Sequence, residues 1–199
     1  MKTGRIGAKQ IFLIVLCAVI IGDAVVHKHT SIVLQGFFCN DESDFFPADE
    51  LEKAYASQLG LGKWEQIHFE DDLFVEVGST KDYTTASASK IVAYTSAKEL
   101  DFLVVPEHLL GHYGSAFALM DLRQWDFPSL EKWFITGRDG TGDEKAYAVN
   151  MAQSRYLAGK NPSEPYYLMV PENSRRKTAV REYLAYLFMT EGNRSPRDQ

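Results

Sequence analysis

Hydrophobic positions follow two different rules along this chain. Near the start, Ile11 to Gly22 is twelve residues without a polar side chain; Asp23 interrupts, and Ala24, Val25 and Val26 resume before His27 and Lys28. The run 11–26 lies at the short end of the ~17–25 residues a spanning helix needs, with Lys9 and Lys28 free to snorkel at its ends. It predicts a signal-anchor, or transmembrane, segment over residues 1–29. A cleaved signal peptide shares the design, a basic start and an apolar stretch of ~7–15 residues, with small residues about Gly22 and Ala24 where a peptidase cuts. Both readings stay open. Either way, the basic start points inward and everything beyond about His27 is extracytoplasmic, on a cell-membrane protein or a secreted one. Lipidation is not expected, because Leu16 and not a small residue precedes Cys17.

From residue 30 the pattern alternates between strand and helix. TSIVLQGFF at 30–38 is rich in β-branched and aromatic residues and predicts a strand ending at Gly36. Residues 47–60 predict a helix: Pro47 and acids at its start, Leu51, Ala54, Tyr55 and Leu59 on one stripe, Gly60 as a stop. Residues 64–69 predict a second strand, and 80–100 a helix carrying Ile91, Tyr94 and Thr95. The apolar 101–106, closed by Pro106, has the character of a buried parallel strand. A short helix at 107–113, an extended piece at 117–122, a turn at 138–140 and strands at 145–152 and 165–171 follow. Residues 175–191 form an amphipathic helix with Ala179, Val180, Tyr183, Leu184, Leu187 and Phe188 on its apolar face. Strand, helix, strand, helix, strand within about seventy residues implies crossover connections, so the expected class is α/β with a mixed, mainly parallel sheet flanked by helices. No repeat or interdomain linker breaks residues 30–191, which are expected to form one extracytoplasmic domain with a polar tail at 192–199.

Composition agrees with one packed core: 199 residues, 45% hydrophobic and 24% charged. Charge is unevenly spread. Residues 1–29 carry +3, so the rest carries −9 of the net −6. An acidic body repels polyphosphate, and Arg175, Arg176 and Lys177 are too short a cluster to offset it, so no nucleic-acid partner is expected. Cys17 and Cys39 are not placed to form an intradomain disulfide.

Candidate chemistry is sparse. His108 and His112 stand four apart, on one face of a helix, but the acid precedes the first histidine and no third ligand is marked, so no metal site is expected. Residues 139–144, DGTGDE, place oxygens at the first, third and fifth positions of a calcium loop but have Glu144 where the sixth must be glycine. Gly137, Gly140 and Gly142 lack the Gly-Lys-Ser/Thr ending of a phosphate loop. The hydroxyls between Ser79 and Ser96 include no nucleophile elbow, and the acidic corner Glu70, Asp71, Asp72 has no partner marked for acid/base work. The expectation is a non-enzymatic protein without a cofactor.

Several segments in order resemble extracellular solute-binding proteins of the periplasmic-binding-protein type 2, in a reduced, membrane-anchored form. They are the apolar anchor followed by 31–38, the stretch 96–107 (SAKELDFLVVPE), Met120 to Leu122, Lys145 to Asn150, Tyr166 to Pro171, and the final helix. The resemblance implies one lobe of a two-lobed clamshell, with ligand held in the cleft at the strand C-termini. About 160 residues hold one such lobe and not two. On this placement the ligand-binding candidates are Gly36, Phe37, Phe38, Glu70, Ser79 and Glu107, the phenylalanines stacking on a ligand and the acids orienting a cation. The expected partner is a small-molecule solute or, if the fold is kept without that binding, a second membrane protein.

Overall fold

The computed structural model describes residues 30–188. The expected anchor or signal segment at 1–29 and the tail at 192–199 lie outside the described residues. Among the described residues no helix is long and apolar enough to cross a membrane.

In chain order the elements are β1 Ser31–Cys39, α1 Ala48–Leu59, β2 Glu65–Leu73, α2 Asp82–Ser96, β3 Phe102–Pro106, α3 Glu107–Ala116, β4 Phe134–Arg138, β5 Glu144–Asn150, β6 Tyr166–Met169 and α4 Lys177–Phe188. Six strands form one sheet in the order β2-β1-β3-β6-β5-β4. The first three pair in parallel, and β6, β5 and β4 each pair antiparallel to their neighbour. The class is therefore α/β, as expected, with a mixed sheet. It is not mainly parallel, because the second half of the chain adds antiparallel strands in place of crossovers.

Strand alternation divides the core between two faces. Phe102 and Val104 of β3 point to one side with Leu51 and Tyr55 of α1 and Val180, Tyr183, Leu184 and Leu187 of α4. Leu103 and Val105 point to the other with Ile91 of α2 and Leu109 and Tyr113 of α3. Helices thus cover both faces, as a sheet apolar on both sides requires. Ala54, assigned to the buried stripe of α1, is exposed. Gly60, at φ 62°, ends α1 in the left-handed conformation, its amide directed back at the last-turn carbonyls of Ala56 and Ser57.

Two strands differ from expectation in ways that matter for the site. β1 continues past Gly36 to Cys39 and β2 past Phe69 to Leu73, so the true strand ends lie three and four residues further on. The expected extended piece at 117–122 reduces to a bridge between Leu119 and Pro171. β4 was not expected at all; it pairs with β5 around the anticipated turn.

Candidate functional site

β2 and β3 flank β1 on opposite sides, which makes the gap between the C-terminal ends of β1 and β3 a topological switch point. In open α/β sheets ligands collect at such a gap, where the connections diverge and leave a crevice. Four side chains from three segments meet there.

Asn40 follows directly on β1, at φ 55°, a left-handed conformation that asparagine tolerates better than most residues. Its Oδ1 accepts from the Val75 amide at 2.8 Å and its Nδ2 donates to the Val75 carbonyl at 2.9 Å, which ties the end of β1 to the loop after β2. The same Nδ2 lies 3.4 Å from Nε2 of His108, the second residue of α3. On the far side of the ring, Nδ1 of His108 is 2.9 and 3.0 Å from the two carboxylate oxygens of Glu164, and the His108 amide donates to Glu164 Oε2 at 3.1 Å. The chain's own carboxylate thus sits on the N-terminus of α3. Tyr166 donates from its hydroxyl to the Asn40 carbonyl at 3.0 Å. Burial, then the carboxylates of Asp41, Glu164 and Glu42, push that hydroxyl up to about 12, so it stays a protonated donor.

This network assigns the imidazole. The Asn40 amide is held in one orientation by Val75, so it presents N–H to His108 Nε2, and that nitrogen accepts. Nδ1 then carries the proton and donates to Glu164. The ring is half-exposed, its two nitrogens are directed at other side chains, and no serine, threonine or cysteine among the described residues hydrogen-bonds to it.

Two shallow clefts open at this edge of the sheet. One, of about 250 Å³, lies between the β2–α2 loop, α2 and α3, and is lined by Val75, Val77, Ser79, Thr84, Ala88 and His112 among others. The other, of about 200 Å³, lies beside the ends of β1 and β2 and is lined by Asn40, Asp41, Glu42, Asp71, Asp72 and Phe74. Because Val75 lines the first and Asn40 the second, their paired hydrogen bonds form part of the partition. The second cleft is acidic, but two of its carboxylates serve the backbone: Asp41 accepts from the Phe45 and Phe46 amides, and Asp71 accepts from Ala48 at the start of α1. Burial raises the Asp41 carboxyl above the usual range despite those two amides, and Asp44 and Asp71 add to the rise.

The expected site residues divide. Ser79 lines the larger cleft, and Glu107 is exposed at the start of α3, its amide bonded to the Pro165 carbonyl at 2.9 Å. Glu70 lies inside β2, not at its end, and pairs with Lys90 of α2; its carboxyl is raised first by burial, with Asp72 adding to the rise and Lys90 opposing it. Gly36, Phe37 and Phe38 are buried in the body of β1. Phe37 packs against Tyr94 on one face of the sheet and Phe38 stacks on Phe46 on the other, so neither ring is presented to a ligand. Reading Gly36 as the strand end caused the error: glycine there makes room for the Phe102 ring. Asn40, Glu164 and Tyr166 were missed, and His108 was considered only as a metal ligand. One local signal existed, the turn-forming Asn40-Asp41 after an apolar strand. His108 and His112 point to different surroundings, and among the described residues no group of three His, Cys, Asp or Glu side chains is placed to hold a metal.

Comparison of the chain with protein-family models, with curated proteins and with solved structures gives no match.

Proposed function

We propose that this chain is a membrane-anchored, extracytoplasmic solute-binding-like protein, non-enzymatic, built as one lobe of the periplasmic-binding-protein kind. The observation that carries this reading is the crevice between β1 and β3, where Asn40, His108, Glu164 and Tyr166 converge from three segments beside two clefts. Parallel strands ordered β2-β1-β3 followed by the antiparallel β6 agree with a lobe whose chain leaves and then returns to the sheet. An imidazole held between an amide and a carboxylate, with no hydroxyl or thiol bonded to it among the described residues, suits recognition better than nucleophilic catalysis. Cleft volumes of about 250 and 200 Å³ lie below the ~300–1,000 Å³ usual for drug-sized ligands, so the solute is small, of amino-acid size or less.

A second reading, a protein-interaction module that keeps the fold without small-molecule binding, is favoured by one observation. Val77, Tyr83 and Val92 are each more than half exposed, all on the β2–α2 loop or α2 beside the larger cleft. Exposed apolar side chains gathered around a shallow groove suit a protein partner. Thermal unfolding of the full chain in detergent or nanodiscs, with panels of amino acids, sugars, short peptides, anions and divalent metals, separates the two. A midpoint shift with one chemical class supports solute recognition, and no shift in a folded chain supports the interaction module.

A further inference from the structure

We infer that the end of the sheet opposite the crevice, centred on Lys63 and Trp64, rests on the headgroups of an anionic membrane and fixes the crevice facing away from it. The inference depends on the proposal that residues 11–26 anchor the chain. Its geometry comes from where the described chain begins. The Ser31 amide donates to the Trp64 carbonyl at 2.7 Å, so the N-terminal ends of β1 and β2 lie side by side. Only five residue steps separate Val26, the last of the apolar run, from Ser31. Fully extended, they span at most ~18 Å. A tether this short keeps the backbone at Trp64 within reach of the headgroup layer whenever the run is in the bilayer.

The side chains at this end suit that position. Trp64 is 42% exposed, a large aromatic facing solvent, with the Lys63 ammonium 5.0 Å from its ring centre. Tryptophan and lysine are the pair that membrane interfaces select, the ring amphipathic and the amine able to reach phosphate. The β6–α4 loop lies at the same end of the sheet, by the start of β3, which registers with Gly36, five residues along β1 from Ser31: Asn173 donates to the Thr95 carbonyl at the end of α2 and Arg176 to the Glu99 carbonyl. It brings Arg175 and Lys177 there, beside Lys98 after α2. Of the acids at this end of the sheet, Asp101 is held by Arg176, Asp139 and Glu172 by Lys145 and Asp121 by Arg123, which leaves Glu65, Glu99, Asp143 and Glu144 against Lys63, Lys98, Arg138, Arg175 and Lys177. The crevice end is more acidic: Asp41, Glu42, Asp71 and Asp72 line the smaller cleft and Glu107 is exposed at the start of α3, while Glu76 is paired with Lys81. Anionic lipid attracts one end of the molecule and repels the other.

The test is tryptophan quenching in the full chain incorporated into vesicles of phosphatidylglycerol and phosphatidylcholine, using lipids brominated near the headgroup. The inference predicts quenching that falls by more than half in Trp64→Phe and is retained in Trp133→Phe, since Trp133 precedes β4 at the other end. Amide exchange over residues 61–65 of the unmodified chain supplies the same answer should Trp64→Phe not fold; it slows in anionic relative to neutral vesicles. Flotation separates the two levels of failure. A chain that does not float with vesicles overturns the anchor and this inference together. A chain that floats, with Trp64 unquenched or exchange at 61–65 independent of lipid charge, overturns this inference alone.

Discussion

At the scale of single residues, Gly36 and Asp139 show how much of this chain's apparent chemistry is structural. A Cβ built on Gly36 would lie 1.9 Å from Cζ of Phe102, whose ring stacks on Tyr183 and meets Phe38 and Phe69 edge-on. Gly36→Ala must displace that ring and is expected to destabilise by at least ~2 kcal/mol, in the range of core overpacking. Gly111, on the exposed side of α3 with nothing within 4 Å of a built Cβ, is the control: Gly111→Ala should stabilise by about 0.5–1 kcal/mol. Denaturant unfolding measures both, and equal effects would contradict the packing described. Asp139, which resembled a calcium ligand in sequence, has a fully buried side chain. It accepts from the Leu119 amide and from Lys145 Nζ, each at 2.8 Å, and from the Thr141 amide and hydroxyl at 2.9 and 2.5 Å. Burial pushes the carboxyl up, but Lys145 and these hydrogen bonds outweigh it and hold the group well below the usual carboxylate range. A folded-state value below the unfolded one contributes stability that is present above the ordinary value near pH 4 and lost as pH falls below it. Asp139→Asn should therefore cost about 3–5 kcal/mol at neutral pH, as removal of one partner from a buried pair does, and flatten the acid limb of a stability–pH curve. An unchanged acid limb would contradict this account.

Among elements, one buried carboxylate joins three segments. Asp101, just before β3, accepts from the Gln35 amide of β1 at 2.8 Å, from the Ser174 hydroxyl at 2.8 Å and from Arg176 Nε at 2.6 Å. Asp101→Ala strands the buried Gln35 amide and Ser174 hydroxyl and leaves the part-exposed Arg176 guanidinium without its carboxylate. At ~1–3 kcal/mol for each unsatisfied buried group, the expected loss is at least ~3 kcal/mol by denaturant unfolding, and a loss under ~1 kcal/mol would show that the loop before α4 relaxes freely. This joint was invisible in sequence, because Gln35 and Arg176 stand 66 and 75 residues away from Asp101. What could be read was local: α1 and α4 from their apolar stripes, β3 from an apolar run closed by Pro106. Strand direction could not, since β6 returns antiparallel beside β3 only through a connection long enough to allow either sense. The short β4 offers little apolar alternation of its own and exists through pairing with β5. The crevice failed for the same reason as the joint. His108 stands 68 residues from Asn40 and 56 from Glu164, and no spacing rule links residues so far apart.

For the whole molecule, direction is the main result. The chain enters the sheet at Ser31, and the nine residues of β1, at ~3.3 Å each, place the crevice about 30 Å from that entry. Acidic side chains gather at the crevice end, and the exposed Trp64 with Lys63, Lys98, Arg175 and Lys177 lies toward the entry end. That polarity suits a tethered receptor whose binding edge faces outward, and it gives the acidic body a role that its net charge alone did not suggest. The most direct test of the central claim is the ligand-induced shift in unfolding midpoint, measured in parallel on the unmodified chain, on His108→Ala and on Val92→Asp, a change on the exposed apolar patch that lines neither cleft. A ligand at a hundredfold excess over its dissociation constant stabilises by roughly 2.7 kcal/mol, a shift of several degrees for a chain of this size. The account predicts such a shift with one class of small solute, lost in His108→Ala and kept in Val92→Asp. A folded chain that shifts with nothing in the panel, or whose shift survives His108→Ala and vanishes in Val92→Asp, would contradict solute recognition at the crevice.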